Sequence, residues 1–306
     1  MNRMTLDRNN KPESGPGQSG YVNRPEIRKE DRPYLLTVAG FDNTAGAGLL
    51  ADIKTFSLLG RYGLGVPTAV TVQTPDTVLE LLREDTLKMR RSLESTLQSF
   101  EVCGMKSGLL CDEAAIDVLC DVVKRRFRGV FVVDPVFFSS GGTQILNAQA
   151  RLAMAKKLFP LASVITPNVG EAELLTGVQV RTRQNLADCA ERLFSFGPKS
   201  VLIKGSGRFD GEDYLFDGGT FISGGCFVPA QTELASSAST PSVHGTGCFH
   251  SASLLCLLAS GMNIVEAATK AKYLTEKAIL TSLSVEGFKS RLIDHCAVRP
   301  FVAECL

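Results

Sequence analysis

The chain of 306 residues has no excess of charge of either sign: 33 Lys and Arg stand against 32 Asp and Glu, for a formal net charge of +1. With that balance, and without a basic stripe interleaved with aromatics, neither nucleic acid nor a membrane is an expected partner. Any apolar run approaching the ~20 residues that cross a bilayer is also missing, so a soluble protein is expected. The nine cysteines include no C-x-x-C pair. No apolar core of a secretory signal precedes them, so reduced thiols in a cytoplasmic setting are expected rather than a disulfide framework or a zinc site. The phosphate-binding pattern G-x-x-x-x-G-K-[ST] occurs nowhere, so a nucleotide must be held by another route. What is present is a hydrophobic fraction of 44%, ample for a substantial core.

Residues 1–33 are rich in Asn, Pro, Gly and Arg, with acids scattered among the bases and no apolar periodicity. A disordered or loosely attached tail is expected there. From residue 34 to 306, apolar β-type runs alternate with amphipathic segments, the pattern of a single doubly wound α/β domain with helices on both faces of a mostly parallel sheet. The runs at 34–39, 65–72, 102–105, 130–133, 164–166 and 200–203 predict strands. Helices are predicted at 49–59, 113–127, 149–158, 185–196, 248–260 and 264–283. Segment 230–242, with Ser236-Ser237-Ala238-Ser239, is low in complexity and is expected to act as a flap.

That segment leads into Val243-His244-Gly245-Thr246-Gly247-Cys248 and then an apolar helical run. Two glycines flanking a threonine let the backbone turn its N–H groups one way, and the helix that follows adds the positive end of its dipole. A transferring phosphoryl group suits such an anion hole. The same field is expected to lower the pKa of Cys248, making it a thiolate able to take a proton from an alcohol. An ordinary glycine-rich helix start with a small buried cysteine is the alternative. A second glycine stretch, Gly46-Ala47-Gly48-Leu49-Leu50-Ala51, imitates a dinucleotide fingerprint, but Gly40 to Ala45 separate it from its strand. The next strand also ends in Val72-Gln73, where a ribose-binding acid would stand.

Motifs run in order along the chain: Ala39-Gly40-Phe41-Asp42, Gly46-Ala47-Gly48, Ala51-Asp52-Ile53-Lys54, and Thr68-Ala69-Val70-Thr71-Val72-Gln73. Further on come Lys106-Ser107-Gly108-Leu109-Leu110, Val133-Asp134-Pro135-Val136, Ile165-Thr166-Pro167-Asn168 with Glu171, Val201-Leu202-Ile203-Lys204-Gly205, and the turn ending in Cys248. In this order they resemble the hydroxymethylpyrimidine and phosphomethylpyrimidine kinases of the ribokinase-like superfamily, from the first strand to the helix at Ile264. The resemblance implies a three-layer α/β/α fold, ATP and Mg2+ as cofactors, a small aminopyrimidine alcohol or its monophosphate as substrate, a place in thiamine biosynthesis, and a homodimer.

Carried over residue by residue, the resemblance implies that Gly40, Asp52, Gln73, Gly108 and Val136 line the acceptor pocket. The carboxamide of Gln73 would pair with the exocyclic amine and a ring nitrogen, and Asp52 would lie near the hydroxymethyl group. Asn168 and Glu171 would hold magnesium and its waters. Lys204 and Asp134 would serve the phosphates, and Gly245, Thr246, Gly247 and Cys248 would form the catalytic turn. Standing alone, Gln73 reads as a solvated strand end, Asp52 as a helix-face carboxylate, Asn168 as a helix cap and Lys204 as a turn residue. Sugar kinases of the superfamily end the turn in aspartate, so Cys248 points away from sugars; His244 is expected to orient the turn.

Three departures stand out. Thr44-Ala45 and Leu49-Leu50 occupy places where the family has Ser-Gly and Ile-Gln, Ser139-Ser140-Gly141 lacks the family's lysine, and segment 230–242 is longer than usual. With fewer cations on the acceptor side, handling of the monophosphate is expected to weaken relative to the alcohol. Pyridoxal kinase of the same superfamily is the nearest rival reading, and a non-catalytic pyrimidine sensor is the rival from another class.

Overall fold

The computed structural model describes residues 33–138, 142, 144–205, 211–218, 221–222 and 242–306. The expected tail up to residue 32, the departure at Ser139-Ser140-Gly141 and all of the expected flap except Ser242 lie outside the described residues. The central sheet has nine strands: β1 (Tyr34–Asp42), β2 (Tyr62–Gln73), β3 (Val78–Arg83), β4 (Val102–Ser107), β5 (Val130–Val133), β6 (Val164–Ile165), β7 (Val201–Ile203), β8 (Tyr214–Phe216) and β9 (Phe221–Ile222). Their order is β3-β2-β1-β4-β5-β6-β7-β8-β9. Pairing is parallel from β2 through β7, and β3, β8 and β9 add antiparallel edges.

Alternation along the central strands divides the core into two layers. Leu35 of β1 packs with Phe56, Phe249, Leu255 and Leu274, beneath α1 (Gly48–Leu58), α7 (Thr246–Ala259), α8 (Ile264–Leu280) and α9 (His295–Val302). Leu36 and Val38 face the other way. They join Leu93, Ile116, Ala150, Ala172 and Leu186 of α2 (Thr86–Ser99), α3 (Glu113–Arg126), α4 (Ala148–Ala153), α5 (Val169–Thr176) and α6 (Arg183–Phe194). This is the expected three-layer α/β/α fold with a mostly parallel sheet. Every residue of α7 from Phe249 to Leu257 is buried, which explains an apolar run with no polar face.

All six predicted strands form, with Val130–Val133 matching residue for residue. The helix expected at 149–158 is α-helical only to Ala153, and Met154–Leu158 continues as a π-helical turn into a 3-10 turn at Phe159–Leu161. Pro160 accounts for the change, since it has no N–H for an α-helical bond and its ring displaces the preceding turn. Strand β3 escaped the sequence reading because Val-Leu-Glu-Leu-Leu-Arg fits a helix as well as an edge strand. A parallel pair, β10 (Val243–His244) with β11 (Arg291–Leu292), escaped because each strand has two residues.

Between β1 and α1 the chain turns so tightly that Ala45 takes φ 55, the one positive φ of a described non-glycine residue. This is where the family resemblance places glycine. A Cβ in the left-handed region costs about 1–2 kcal/mol, part of which is returned by the stiffer unfolded chain. Ala45→Gly should therefore stabilise the protein by roughly 0.5–1 kcal/mol in urea unfolding; a destabilisation would show that the methyl group makes contacts worth more than the strain.

Candidate active site

Strand order reverses at β1, whose neighbours β2 and β4 leave it on opposite sides, and ligands of doubly wound sheets bind outside the carboxyl ends at such a point. A cleft of about 430 Å³ opens there. It brings together Gly40, Gln73, Gly108, Val136, Asp134, Asn168, Glu171, Lys204 and the turn Gly245, Thr246, Gly247 and Cys248. Thus twelve of the thirteen residues singled out from the sequence share one cavity. The exception is Asp52, which lies beneath the cleft with no exposed surface.

The turn is held in a conformation that only glycine allows. Gly245 is the N-cap of α7 at φ 86, and no side chain caps the helix. The first amides of an α-helix have no intrahelical acceptor, so Thr246, Gly247 and Cys248 present theirs to the cleft. A Cβ on Gly245 would lie 1.8 Å from the carbonyl oxygen of Gly46, and one on Gly46 would lie 2.5 Å from the ring of His244. His244 orients the turn as expected: its Nε2 stands 2.8 Å from Asp42 Oδ2. Asp42 also accepts the amides of Thr44 and Ala47 and the hydroxyl of Thr44. Burial alone would raise its carboxyl, but the hydrogen bonds led by His244 and Gln73 hold it well below the ordinary carboxylate range.

Lys204 is no solvated turn residue. It is 8% exposed, with Nζ 2.7 Å from Asp134 Oδ1. A Cβ on Gly247 would lie 3.3 Å from that Nζ, so the ammonium flanks the open helix end. Ser251 of α7 donates to the other oxygen of Asp134 at 2.9 Å. Burial opposes the charge on Asp134, and Lys204 with Lys106 outweighs it, so the carboxyl stays low. Asn168 does cap α5, its Oδ1 accepting the Glu171 amide at 2.9 Å while Glu171 Oε2 accepts the Asn168 amide at 2.8 Å. Burial pushes Glu171 up to about 8 against the pull of Lys204. Among the described residues no three His, Cys, Asp or Glu stand close enough to enclose a metal. A magnesium ion served by Asn168 and Glu171 would therefore have to keep its own waters.

Two sequence expectations need correction. Cys248 does sit in the first turn of α7, with Sγ accepting the Gly48 amide at 3.4 Å. Its pKa, however, is not lowered. Burial pushes the thiol up to about 11, outweighing the opposing field of Lys106 and the Gly48 amide. The helix end contributes a partial charge, whereas removing water from a thiolate costs more. Asp52 does not reach the acceptor either, because its oxygens are taken by Lys106 Nζ and Thr37 Oγ1, each at 2.6 Å. Of the histidines without an assigned role, His250 Nε2 lies 3.0 Å from Asp213 Oδ2, and His295 Nε2 lies 3.2 Å from Thr55 Oγ1. The contributions of Asp42 and Lys106 escaped the sequence reading, although a lysine inside a buried strand was a signal that a partner had to exist.

Comparison with known proteins agrees with this geometry. A family model described as phosphomethylpyrimidine kinase matches residues 42–291. The hydroxymethylpyrimidine/phosphomethylpyrimidine kinase of Aquifex aeolicus is 34% identical over 250 residues, covering 81% of this chain and 94% of that protein. Among solved structures, Staphylococcus aureus pyridoxal kinase in complex with AMP-PCP superposes with a TM-score of 0.75 at 30% identity, over 87% of this chain and 94% of that one. Phosphomethylpyrimidine kinase of Clostridium difficile superposes with a TM-score of 0.66, also at 30% identity, over 79% of this chain and 99% of that one.

The glycine contacts set an expected cost. Gly245→Ala forces a Cβ into a backbone oxygen at positive φ, and should destabilise the protein by roughly 2–4 kcal/mol. Gly287, also at positive φ (82), has nothing within 4 Å of a built Cβ. Gly287→Ala should cost only about 1 kcal/mol. Equal urea midpoints for the two variants would mean that the two glycine turns do not interlock.

Proposed function

The chain belongs to the phosphomethylpyrimidine kinase family, and we propose that it transfers the γ-phosphoryl group of ATP to 4-amino-5-hydroxymethyl-2-methylpyrimidine and to that alcohol's monophosphate, a step of thiamine biosynthesis. The observation that carries this reading is the uncapped end of α7, which lines the cleft beside Lys204, with the Gln73 carboxamide in the same cleft. Phosphoryl transfer requires little covalent chemistry from the protein, and positioning plus charge stabilisation supply most of the rate.

Gln73 orients the ring through its two-sided carboxamide, between walls formed by Gly40, Gly108 and Val136. The acceptor oxygen then bonds to the γ-phosphorus as the bond to the ADP oxygen breaks. The amides of Thr246, Gly247 and Cys248, together with Lys204, receive the charge that develops on the phosphoryl oxygens. The alcohol's proton passes to the Cys248 thiolate. Asn168 and Glu171 would hold magnesium through its waters, and the ion would supply neutralising charge to the ATP phosphates. Because the resting thiol stands at about 11, thiolate is the minor form at neutral pH, and turnover should rise with pH above 7 by up to about tenfold per pH unit.

Lys204 is the only lysine or arginine among the described residues lining the cleft, which favours the free alcohol over its monophosphate. The similarity to pyridoxal kinase keeps a second reading in view, since pyridoxal is also a flat heteroaromatic alcohol. We propose further that residues 34–306 form one catalytic domain behind a loosely attached tail, and that the protein works in the cytoplasm as a homodimer. In the described residues no helix is long and apolar enough to cross a membrane.

The deciding experiment offers the pyrimidine alcohol, its monophosphate and pyridoxal side by side with ATP and magnesium; faster turnover of pyridoxal than of either pyrimidine would replace this reading with the second. Cys248→Ala should lower turnover by about 10² or more with little change in pyrimidine binding. Near-normal turnover would leave the anion hole and metal as the whole apparatus. Gln73→Leu should weaken pyrimidine binding by ~1–3 kcal/mol and leave ATP binding unchanged. Equal losses for both ligands in calorimetry would place Gln73 in the wrong half of the cleft.

A further inference from the structure

Lys106 and Asp52 form an ion pair in which neither side chain has any exposed surface. Burying two charges costs several kcal/mol per ion before their attraction is counted, and a well-packed apolar pair would be as stable or more so. The sheet has nonetheless been built around this pair. Thr37 of β1 and Lys106 of β4 are register partners, so they stand side by side beneath α1. Both hold the one carboxylate that α1 sends down, through contacts of 2.6 Å to its two oxygens.

The pair lies directly under the reaction site. A Cβ on Gly108, in the cleft wall, would be 3.8 Å from Lys106 Nζ. Cys248 lines the same cleft and accepts the Gly48 amide at the start of α1, one helical turn before Asp52. Burial lowers the Lys106 ammonium, and the Asp52 carboxylate, followed by Cys248 and Asp134, more than reverses this, holding it above its ordinary range. Four charged groups act on Cys248: Lys106 from β4, Asp52 from α1, Asp134 after β5 and Lys204 after β7. The last two are paired with each other at 2.7 Å, and Ser251 also binds Asp134.

We infer that Lys106 is a positioning residue that stabilises the thiolate of Cys248 from beneath the cleft, and that Asp52 both aims its ammonium and limits its effect. The inference rests on reading Cys248 as the base, and it assigns opposite signs to the two members of one ion pair. A merely structural pair has no such property, because breaking it from either side loosens the same cleft.

The test is the pH dependence of Cys248 alkylation by iodoacetamide in the full-length protein, with the modified residue identified by peptide mass spectrometry. Lys106→Met should move the midpoint to higher pH by about one pH unit or more, and Asp52→Asn should move it to lower pH. At a fixed pH where thiol dominates, this is about a tenfold slower and a faster reaction respectively. Midpoints that stay in place, or move in the same direction, overturn the inference. Should Lys106→Met fail to fold, the nearly isosteric Asp52→Asn decides alone, since an unchanged or raised midpoint overturns it. The pH profile of kcat separates this inference from the base assignment. If the alkylation midpoints split while both profiles match wild type, the electrostatic role stands and the base assignment falls. If they do not split but Cys248→Ala still abolishes turnover, the base assignment stands and the role of Lys106 falls.

Discussion

Gly245 approaches the Gly46 carbonyl so closely that it tolerates no Cβ, a Cβ on Gly46 would meet the His244 ring, and this contact places the turn to which the chemistry is assigned. One glycine opens the segment before α1 and the other opens α7, two helices separated by most of the chain but packed on the same face of the sheet. Asp42 fastens the contact. It gathers the amides of Thr44 and Ala47 from the first turn and the ring of His244 from the second. With the turns joined, Gly48 can donate to Cys248 and the bare end of α7 faces the space above β1. The anion hole is thus a product of tertiary packing between two loops that are individually weak structures.

Around this contact, buried ionisable side chains come in pairs: Asp42 with His244, Asp52 with Lys106, and Asp134 with Lys204. Such pairs seldom add net stability, because desolvation consumes most of the attraction. What they supply is fixed direction. A phosphate in water has to reorganise solvent, whereas Lys204 and the three amides at the start of α7 are already fixed in direction, as the proposed anion hole requires. Cys248 shows the cost of the same dryness. The water exclusion that strengthens the anion hole also disfavours a bare thiolate, so one environment cannot favour both phosphoryl charge and thiolate without a nearby cation.

The sequence made the fold legible wherever period and composition agreed. Val130–Val133 is apolar throughout because helices cover both of its faces, and α7 is apolar all round because it lies under α8. Edge elements were not legible, since β3 carries Glu80 and Arg83 in an otherwise apolar run and β8 to β11 are two or three residues long. At the site, residues whose backbone or strand end lines the cleft were placed by ordered motifs. Asp52 was misplaced because a sequence does not say whether a helix carboxylate points up at a ligand or down at a lysine on the next strand. The thiol of Cys248 was misjudged for a related reason. Helix position can be read from spacing, while depth of burial depends on what packs above.

The acceptor end of the cleft also explains how one scaffold is shared by kinases of pyridoxal and of hydroxymethylpyrimidines. Its walls, Gly40, Gly108, Leu109, Val136, Phe138 and Ile145, are small or apolar and suit any flat ring. Stacking area on such surfaces discriminates poorly, since exchange of one apolar group or small polar group is worth only about 1–3 kcal/mol. Selection would then fall to the few polar side chains of the cleft, among them Gln73, whose carboxamide combines a donor and an acceptor. Its backbone is locked to Asn43 by two hydrogen bonds of 2.8 and 3.1 Å. Under the proposed role of Gln73, substrate choice would rest on how firmly the end of β2 is held, and that hold comes from the same β1 to α1 connection that carries Asp42 and the first glycine turn.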